Sequence, residues 1–264
     1  MVAKSPIWHS TAGEGPPVIL LHGLFGAGSN LGALSRSLAD RFTVYSLDLP
    51  NHGRSGWVEQ AGPADMAVLL GQWMEEQRLA SAACVGHSLG GKVMMELALS
   101  QPQKVRALVA ADIAPVEYPA GGHDSIFAAL EAVAAQGVGS RNEAADIMAR
   151  YLDEPGVIQF LLMSLQRGED GVFNWRFNLR AMRDNYTAVR GAPLHRAPYA
   201  GPVLFVKGGD SSYILPEHRA QVLALFPQAE MKVMPGCGHW LHAEQPEQFN
   251  RIVGRFLDHH ASAG

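Results

Sequence analysis

Gly86-His87-Ser88-Leu89-Gly90 constrains the fold more than any other stretch of this chain. Before it, Ala82-Ala83-Cys84-Val85 is an apolar run of strand length, and from Lys92 to Leu99 the pattern is helical. Strand, sharp turn, helix is the setting in which Gly-x-Ser-x-Gly lifts a serine hydroxyl above a sheet edge in strained geometry. Gly86 and Gly90 then serve because a Cβ at either position would collide with the neighbouring strand or helix. The backbone N–H of Leu89 would face the space above Ser88, where an oxyanion could form. A plain strand-to-helix turn could carry the same five residues, so the chemical reading depends on partners elsewhere in the chain.

Those partners fall on a repeating pattern. Residues 7–13 read as an edge strand, and 18–21, 42–47, 82–85, 105–111, 202–207 and 230–234 as further strands. Most are continuous apolar runs, as expected of parallel strands buried on both faces. Helices fall between them: residues 29–39, then a helix opened by Pro63 with Met66, Leu69, Leu70 and Trp73 on one face. Pro216 opens another, and Phe249, Ile252, Val253, Phe256 and Leu257 form the stripe of a closing one. Alternation of this kind predicts an α/β fold with a mostly parallel central sheet and helices on both faces.

The rhythm breaks between 116 and 198, where helical patterns take over. Ile126, Phe127, Leu130 and Val133 share a face; Ser140 to Glu143 resembles a capping box; a third helix runs from Pro155 to Leu165; a fourth covers 179–189. The expected organisation is a core of residues 1–115 and 199–264 with a helical cap, or lid, of 116–198 over the sheet's C-terminal edge, where open α/β sheets bind ligands.

Composition narrows the partners. With 47% hydrophobic and 17% charged residues the chain is globular, and a net charge of −4 without any Lys/Arg run argues against nucleic acid. Cys84 and Cys237 are the only cysteines, too few for a disulfide framework. The first residues lack an apolar leader core and no segment reaches membrane-spanning length, so a cytoplasmic protein without a membrane partner is expected, as monomer or small homo-oligomer. Asp48 and His52 share a polar turn but read as loop stabilisers, and no metal or cofactor site is expected.

A serine hydroxyl needs a base within reach, and the base needs a carboxylate to fix its tautomer. His239 follows the last strand in a Gly-flanked turn and is the candidate base; His242, nearby, reads as structural. Two carboxylates compete for the third role. Asp210 follows the penultimate strand and Asp112 follows the strand after the elbow helix; spacing does not choose between them. His22-Gly23 after an early strand places the Leu24 N–H as second oxyanion donor beside that of Leu89. Trp240, next to the base, and the lid residues Phe127 and Phe160 are candidate walls of a substrate pocket, with packing inside the lid as the alternative for the last two.

Ser88 in Gly-His-Ser-Leu-Gly-Gly-Lys, His22-Gly23, the loop from Asp48 to Ser55 and Gly238-His239-Trp240 together resemble the α/β-hydrolase superfamily over nearly the whole chain. More narrowly, Asp112-Ile113-Ala114-Pro115-Val116-Glu117-Tyr118, His123-Asp124-Ser125-Ile126-Phe127, residues 156–162 and Trp175-Arg176-Phe177-Asn178 resemble bacterial YbfF-type esterases, relatives of the abhydrolase-domain-containing protein 11 group. The resemblance implies that Asp112 is the acid and that Ser211 assists the triad; Asp210 stands where those relatives carry Asn and remains the alternative. It further implies a serine carboxylesterase acting on short- to medium-chain acyl esters, or acyl thioesters, through an acyl-enzyme and without a cofactor. Lyases and C–C bond hydrolases keep the same triad, and a small-molecule receptor could share the fold without turnover.

Overall fold

The computed structural model of the protein describes residues 5–195 and 197–261; residues 1–4, read above for the lack of an apolar leader, lie outside the described residues. The chain opens with strands β1 (Trp8–Ala12) and β2 (Pro17–Leu21), helix α1 (Gly32–Leu38), β3 (Thr43–Asp48), α2 (Pro63–Glu76), β4 (Ala82–His87), α3 (Leu89–Ser100) and β5 (Val105–Ala111). An insertion follows, with α4 (Asp124–Gln136), α5 (Arg141–Met148), α6 (Pro155–Leu162), β6 (Leu165–Arg167), β7 (Phe173–Trp175), α7 (Leu179–Asp184) and α8 (Tyr186–Arg190). The core resumes with β8 (Val203–Gly208), α9 (Arg219–Leu225), β9 (Ala229–Met234), α10 (Leu241–Glu244) and α11 (Pro246–His260).

Seven strands form one sheet in the order β1-β3-β2-β4-β5-β8-β9, with only the β1–β3 pairing antiparallel. Period-two alternation explains why the inner strands are apolar throughout. Ile19, Leu21 and Cys84 join Leu70, Trp73, Met94 and Leu97 of α2 and α3 on one face. Val18, Leu20, Ala83 and Val85 join Leu34, Leu38, Val253 and Leu257 of α1 and α11 on the other. Each fully buried Leu or Val contributes about 1.5–3 kcal/mol of transfer free energy, so both faces must be covered for the sheet to be stable.

The insertion has a core of its own, built from residues such as Leu130, Val133, Ile147, Leu161 and Phe177. Its two ends leave the sheet side by side: Tyr118 N–H donates to Arg190 O at 2.8 Å and Arg190 Nη1 donates to Tyr118 O at 2.9 Å. Lys92, one turn along α3 from Ser88, ties both ends down by donating from Nζ to Val116 O at 3.1 Å and to Gly191 O.

Two features of the insertion differ from the sequence reading. The third helix stops at Leu162, and Leu165 begins a short hairpin in which β6 pairs antiparallel with β7. Three-residue strands carry too little alternation to announce themselves, and Leu165 continues an apolar pattern that reads as helix. The fourth helix is two, broken at Asn185, whose Oδ1 accepts from Ala61 N–H at 3.0 Å and whose Nδ2 donates to Glu59 O at 2.8 Å. A side chain that bonds the core loop competes with helix continuation and docks the insertion at the same time.

Candidate active site

The elbow is strained at one residue. Ser88 sits between β4 and α3 with φ 52° and ψ −118°, held there by its N–H donating to Ala111 O at 3.0 Å. A Cβ on Gly86 would lie 2.3 Å from Gly90 O, and one on Gly90 would lie 2.4 Å from Leu21 O, so both positions exclude any larger residue. Because Leu89 is the first residue of α3, its N–H has no intrahelical acceptor.

Asp112 follows β5, also with a positive φ of 49°, and is fully buried. Its carboxylate is satisfied on all sides. Oδ1 accepts from Gly208 N–H at 2.9 Å, and Oδ2 accepts from His239 Nδ1 at 2.7 Å and from the Ser211 hydroxyl. With Nδ1–H committed to Asp112, Nε2 of His239 is left as the basic nitrogen. The ring is fixed further by stacking on Tyr213, with centroids 4.0 Å apart and planes 21° from parallel. Asp210 is solvent-exposed; its N–H donates to Cys237 O at 2.9 Å, and its carboxylate makes no hydrogen bond or ion pair with His239. Among the described residues neither Ser88 Oγ nor His239 Nε2 has a hydrogen-bond partner; bonds of this kind commonly tighten only around substrate.

Leu24 lies in the turn after β2, which two buried histidines brace from beneath. His22 donates from Nδ1 to Gly23 O at 2.8 Å and accepts at Nε2 from Leu49 N–H at 3.0 Å. His52 donates from Nδ1 to Pro50 O at 2.9 Å and accepts from Phe25 N–H at 3.2 Å. Burial, with His22 alongside, pushes His52 down to about 3, so it stays neutral and keeps this pair of roles. Asp48 accepts from Gly28 and Arg54 N–H at 2.7 and 2.9 Å, making it a loop brace as well. The insertion grips the same turn, since Ser164 Oγ donates to Phe25 O at 2.7 Å.

His87, the variable residue of the motif, is itself part of the site. Burial, with His242 and His239 beside it, holds it well below the usual imidazole range; its Nε2 donates to the carbonyl of His239 at 2.8 Å. His242 is buried with its ring 4.4 Å from that of His87, and burial pushes it down to about 4.

Ser88 opens on a cavity of about 50 Å³ whose wall includes Leu24, Leu89, Tyr118, His123, Tyr186 and Tyr213. A larger cavity of about 760 Å³ begins beside the base, where Trp240 faces Phe160 with ring centroids 5.6 Å apart, and continues along Gly156 and Met163. Phe127 lines neither: it is fully buried, edge-on to Phe25 and Tyr186 at 5.4 and 5.1 Å, and belongs to the insertion's packing. The sequence assigns no site role to His87, His123, Tyr186 or Tyr213, although His123 opens one of the stretches shared with the YbfF-type esterases. Tyr213 stands two residues beyond Ser211 and His87 inside the motif, which was the only available signal for those two. Among the described residues no cluster of His, Cys, Asp or Glu could hold a metal ion, and no helix is long and apolar enough to cross a membrane.

A strained serine hydroxyl, an imidazole oriented by a buried carboxylate and two backbone donors can perform nucleophilic acyl transfer. Comparison with known proteins points the same way. Residues 18–252 match the profile described as the alpha/beta hydrolase family. The chain is 41% identical over 242 residues to esterase YbfF of Escherichia coli, covering 92% of this chain and 93% of that one. It is 36% identical to the mouse sn-1-specific diacylglycerol lipase ABHD11, over 92% of this chain and 81% of that one. Among solved structures, a marine microorganism esterase superposes with a TM-score of 0.89 at 36% identity, covering 95% of this chain and 99% of its own.

Proposed function

Because this chain belongs to the alpha/beta hydrolase family, we propose that it is a serine carboxylesterase that cleaves short- to medium-chain acyl esters, with acyl thioesters as a second substrate class. Ser88 Oγ attacks the acyl carbonyl while His239 Nε2 takes its proton. Asp112 holds the imidazole in the required tautomer and stabilises the imidazolium that forms. The Leu24 and Leu89 N–H groups receive the tetrahedral oxyanion, each contributing about 3–4 kcal/mol by analogy with measured donors. His239 returns the proton to the leaving alcohol, and water repeats the sequence on the acyl-enzyme with the roles reversed. Ser211 donates to the Asp112 carboxylate throughout and so positions it without touching substrate.

The observation that carries this reading is the 2.7 Å contact of His239 with a fully buried Asp112 beside a serine at φ 52°. Steady-state hydrolysis of a p-nitrophenyl ester series from acetate to palmitate, by wild type and Ser88→Ala, tests it. Turnover that favours the shorter chains and vanishes in the variant is expected. Equal turnover by both proteins removes Ser88 from the mechanism, and none by either favours a same-triad lyase or C–C hydrolase, or a receptor.

A further inference from the structure

The face where the insertion's hairpin meets the loop after β3 carries a groove of about 620 Å³ whose wall includes Arg54, Arg141, Arg167 and Arg176 together with Trp57 and Trp175. No Asp or Glu lines it. The ion pairs made by arginine in the described residues use Arg41, Arg180, Arg183 and Arg190, so none of these four guanidiniums has a counter-charge. Two acidic groups of the neighbouring loops bond backbone instead. Asp48 accepts from two backbone N–H groups, and Asp170 in the hairpin turn accepts from Val172 N–H at 3.0 Å.

Three of the arginines have side-chain contacts of their own, Arg167 donating from Nε to Gly171 O at 3.5 Å. Arg54 lies over the Trp8 ring at 4.4 Å, and Arg141 donates to Leu162 O and Leu165 O at 3.4 and 2.8 Å. Arg176 differs. Its side chain is half-buried, yet its guanidinium makes no hydrogen bond or ion pair with any described residue. Its guanidinium therefore keeps all five donors free for a ligand, in a planar fork beside three like charges. The groove shares Gly53, Met163 and Arg176 with the 760 Å³ cavity that begins at Trp240, so Arg176 stands at the junction of the two.

Four unpaired guanidiniums in a chain of net charge −4 are not the by-product of a basic composition. We propose that this groove is a binding site for a phosphate-bearing small molecule, and that the phosphate is the non-reacting end of the ester whose acyl group reaches Ser88. Arginine suits the task because its planar fork donates to phosphate oxygens in pairs, and a phosphate group carries enough charge to neutralise more than one of them. Trp57, 67% exposed on the same wall, offers a flat apolar surface to the portion of the ligand next to the phosphate. The groove itself is independent of the esterase reading; its assignment to the substrate rests on that reading.

The test has a binding arm and a turnover arm. Calorimetric titration of the protein with inorganic pyrophosphate is expected to show one site, weakened at least about tenfold in Arg176→Gln, the loss of one charged hydrogen bond. Binding in wild type should also fall as salt rises, a readout that does not depend on how the variant folds. In the turnover arm, kcat/KM is compared for butyryl esters of glycerol and of glycerol phosphate. A preference for the phosphorylated ester over the neutral one that collapses in Arg176→Gln supports the full proposal. Pyrophosphate binding that is absent, or the same in Arg176→Gln, overturns the site. Binding that depends on Arg176 but alters turnover of the neutral ester, without any preference for the linked phosphate, assigns the groove to a free phosphorylated effector and overturns the substrate assignment. Binding with no ester turnover at all keeps the site and removes the esterase reading.

Discussion

His87 Nε2 donates to the carbonyl oxygen of His239 at 2.8 Å, so the residue before Ser88 holds the backbone of the residue opposite it. The elbow therefore fixes both ends of the proton path: Ser88 through its own strained turn, and His239 through its neighbour. His87→Phe keeps a ring in the space but removes the donor. Its kcat should fall about tenfold or more while KM changes little, since a buried carbonyl left unbonded costs about 1–3 kcal/mol and shifts the base. A fall in Tm with kcat unchanged would reduce His87 to a packing residue.

The acid is decided by paired substitutions. Asp112→Asn should lower kcat by about 10⁴, because the amide favours the wrong imidazole tautomer. Asp210→Asn, at an exposed position with no hydrogen bond or ion pair to His239, should leave kcat within about twofold, as expected of surface changes. Steady-state kinetics of both with p-nitrophenyl acetate, alongside circular dichroism to verify folding, gives the answer. The reverse ranking would return Asp210 to the role.

Acid should unfold the protein through its buried histidines. Burial pushes His52 to about 3 and His123 and His242 to about 4, against an unfolded value near 6.5. Below 6.5 the unfolded chain binds protons that the folded one refuses, so stability is full above that pH and is lost as pH falls toward 4 and then 3. Of these, His242 Nδ1 lacks a hydrogen-bond partner among the described residues, so His242→Phe removes a titrating group without breaking a bond at that atom. Thermal melts from pH 7 to 4 should show a shallower decline in the variant; parallel curves would exclude His242 as a contributor.

Lys92 has the same sign in a different range. Burial pushes its amine down to about 7, against roughly 10.4 in the unfolded chain, so its contribution makes stability rise as pH increases from about 7 to 10. Lys92→Met should lose that rise and also lower Tm, because Val116 O and Gly191 O lose their donor at about 1–3 kcal/mol per unsatisfied group. Melts at pH 7 and pH 9.5 measure both effects; a variant whose Tm climbs with pH as wild type does would contradict the assignment.

Much of the scaffold was legible because its signals are local. Residues 18–21 and 107–111 are apolar runs that only a strand buried on both faces requires, and the elbow announces itself through glycines that backbone contact at 2.3 and 2.4 Å makes obligatory. What was not legible depends on distant parts of the chain. Asn185 breaks a helix by bonding residues 59 and 61, and His87 acquires its role only when residue 239 arrives beside it. Spacing left Asp112 and Asp210 equal; the fold separates them by burying one against His239 and leaving the other in water. The arginine groove escaped for the same reason, being drawn from positions 54, 141, 167 and 176, none of which forms a basic run.

The paired bonds between Tyr118 and Arg190 bring the two ends of the insertion together at one point of its host, while Asn185 and Ser164 add side-chain bonds to core loops. A segment that leaves and rejoins its host at adjacent points can be exchanged for one of different length or shape without altering the register of the sheet beneath it. Lys92 belongs to the host and donates to two backbone oxygens at that seam, which any replacement segment would also present, although its contact with the Tyr118 ring at 4.9 Å would be lost with that side chain. A transplanted cap would leave the strands and the elbow as they are, but would have to replace the Ser164 bond to Phe25 O and the Asn185 bonds to residues 59 and 61.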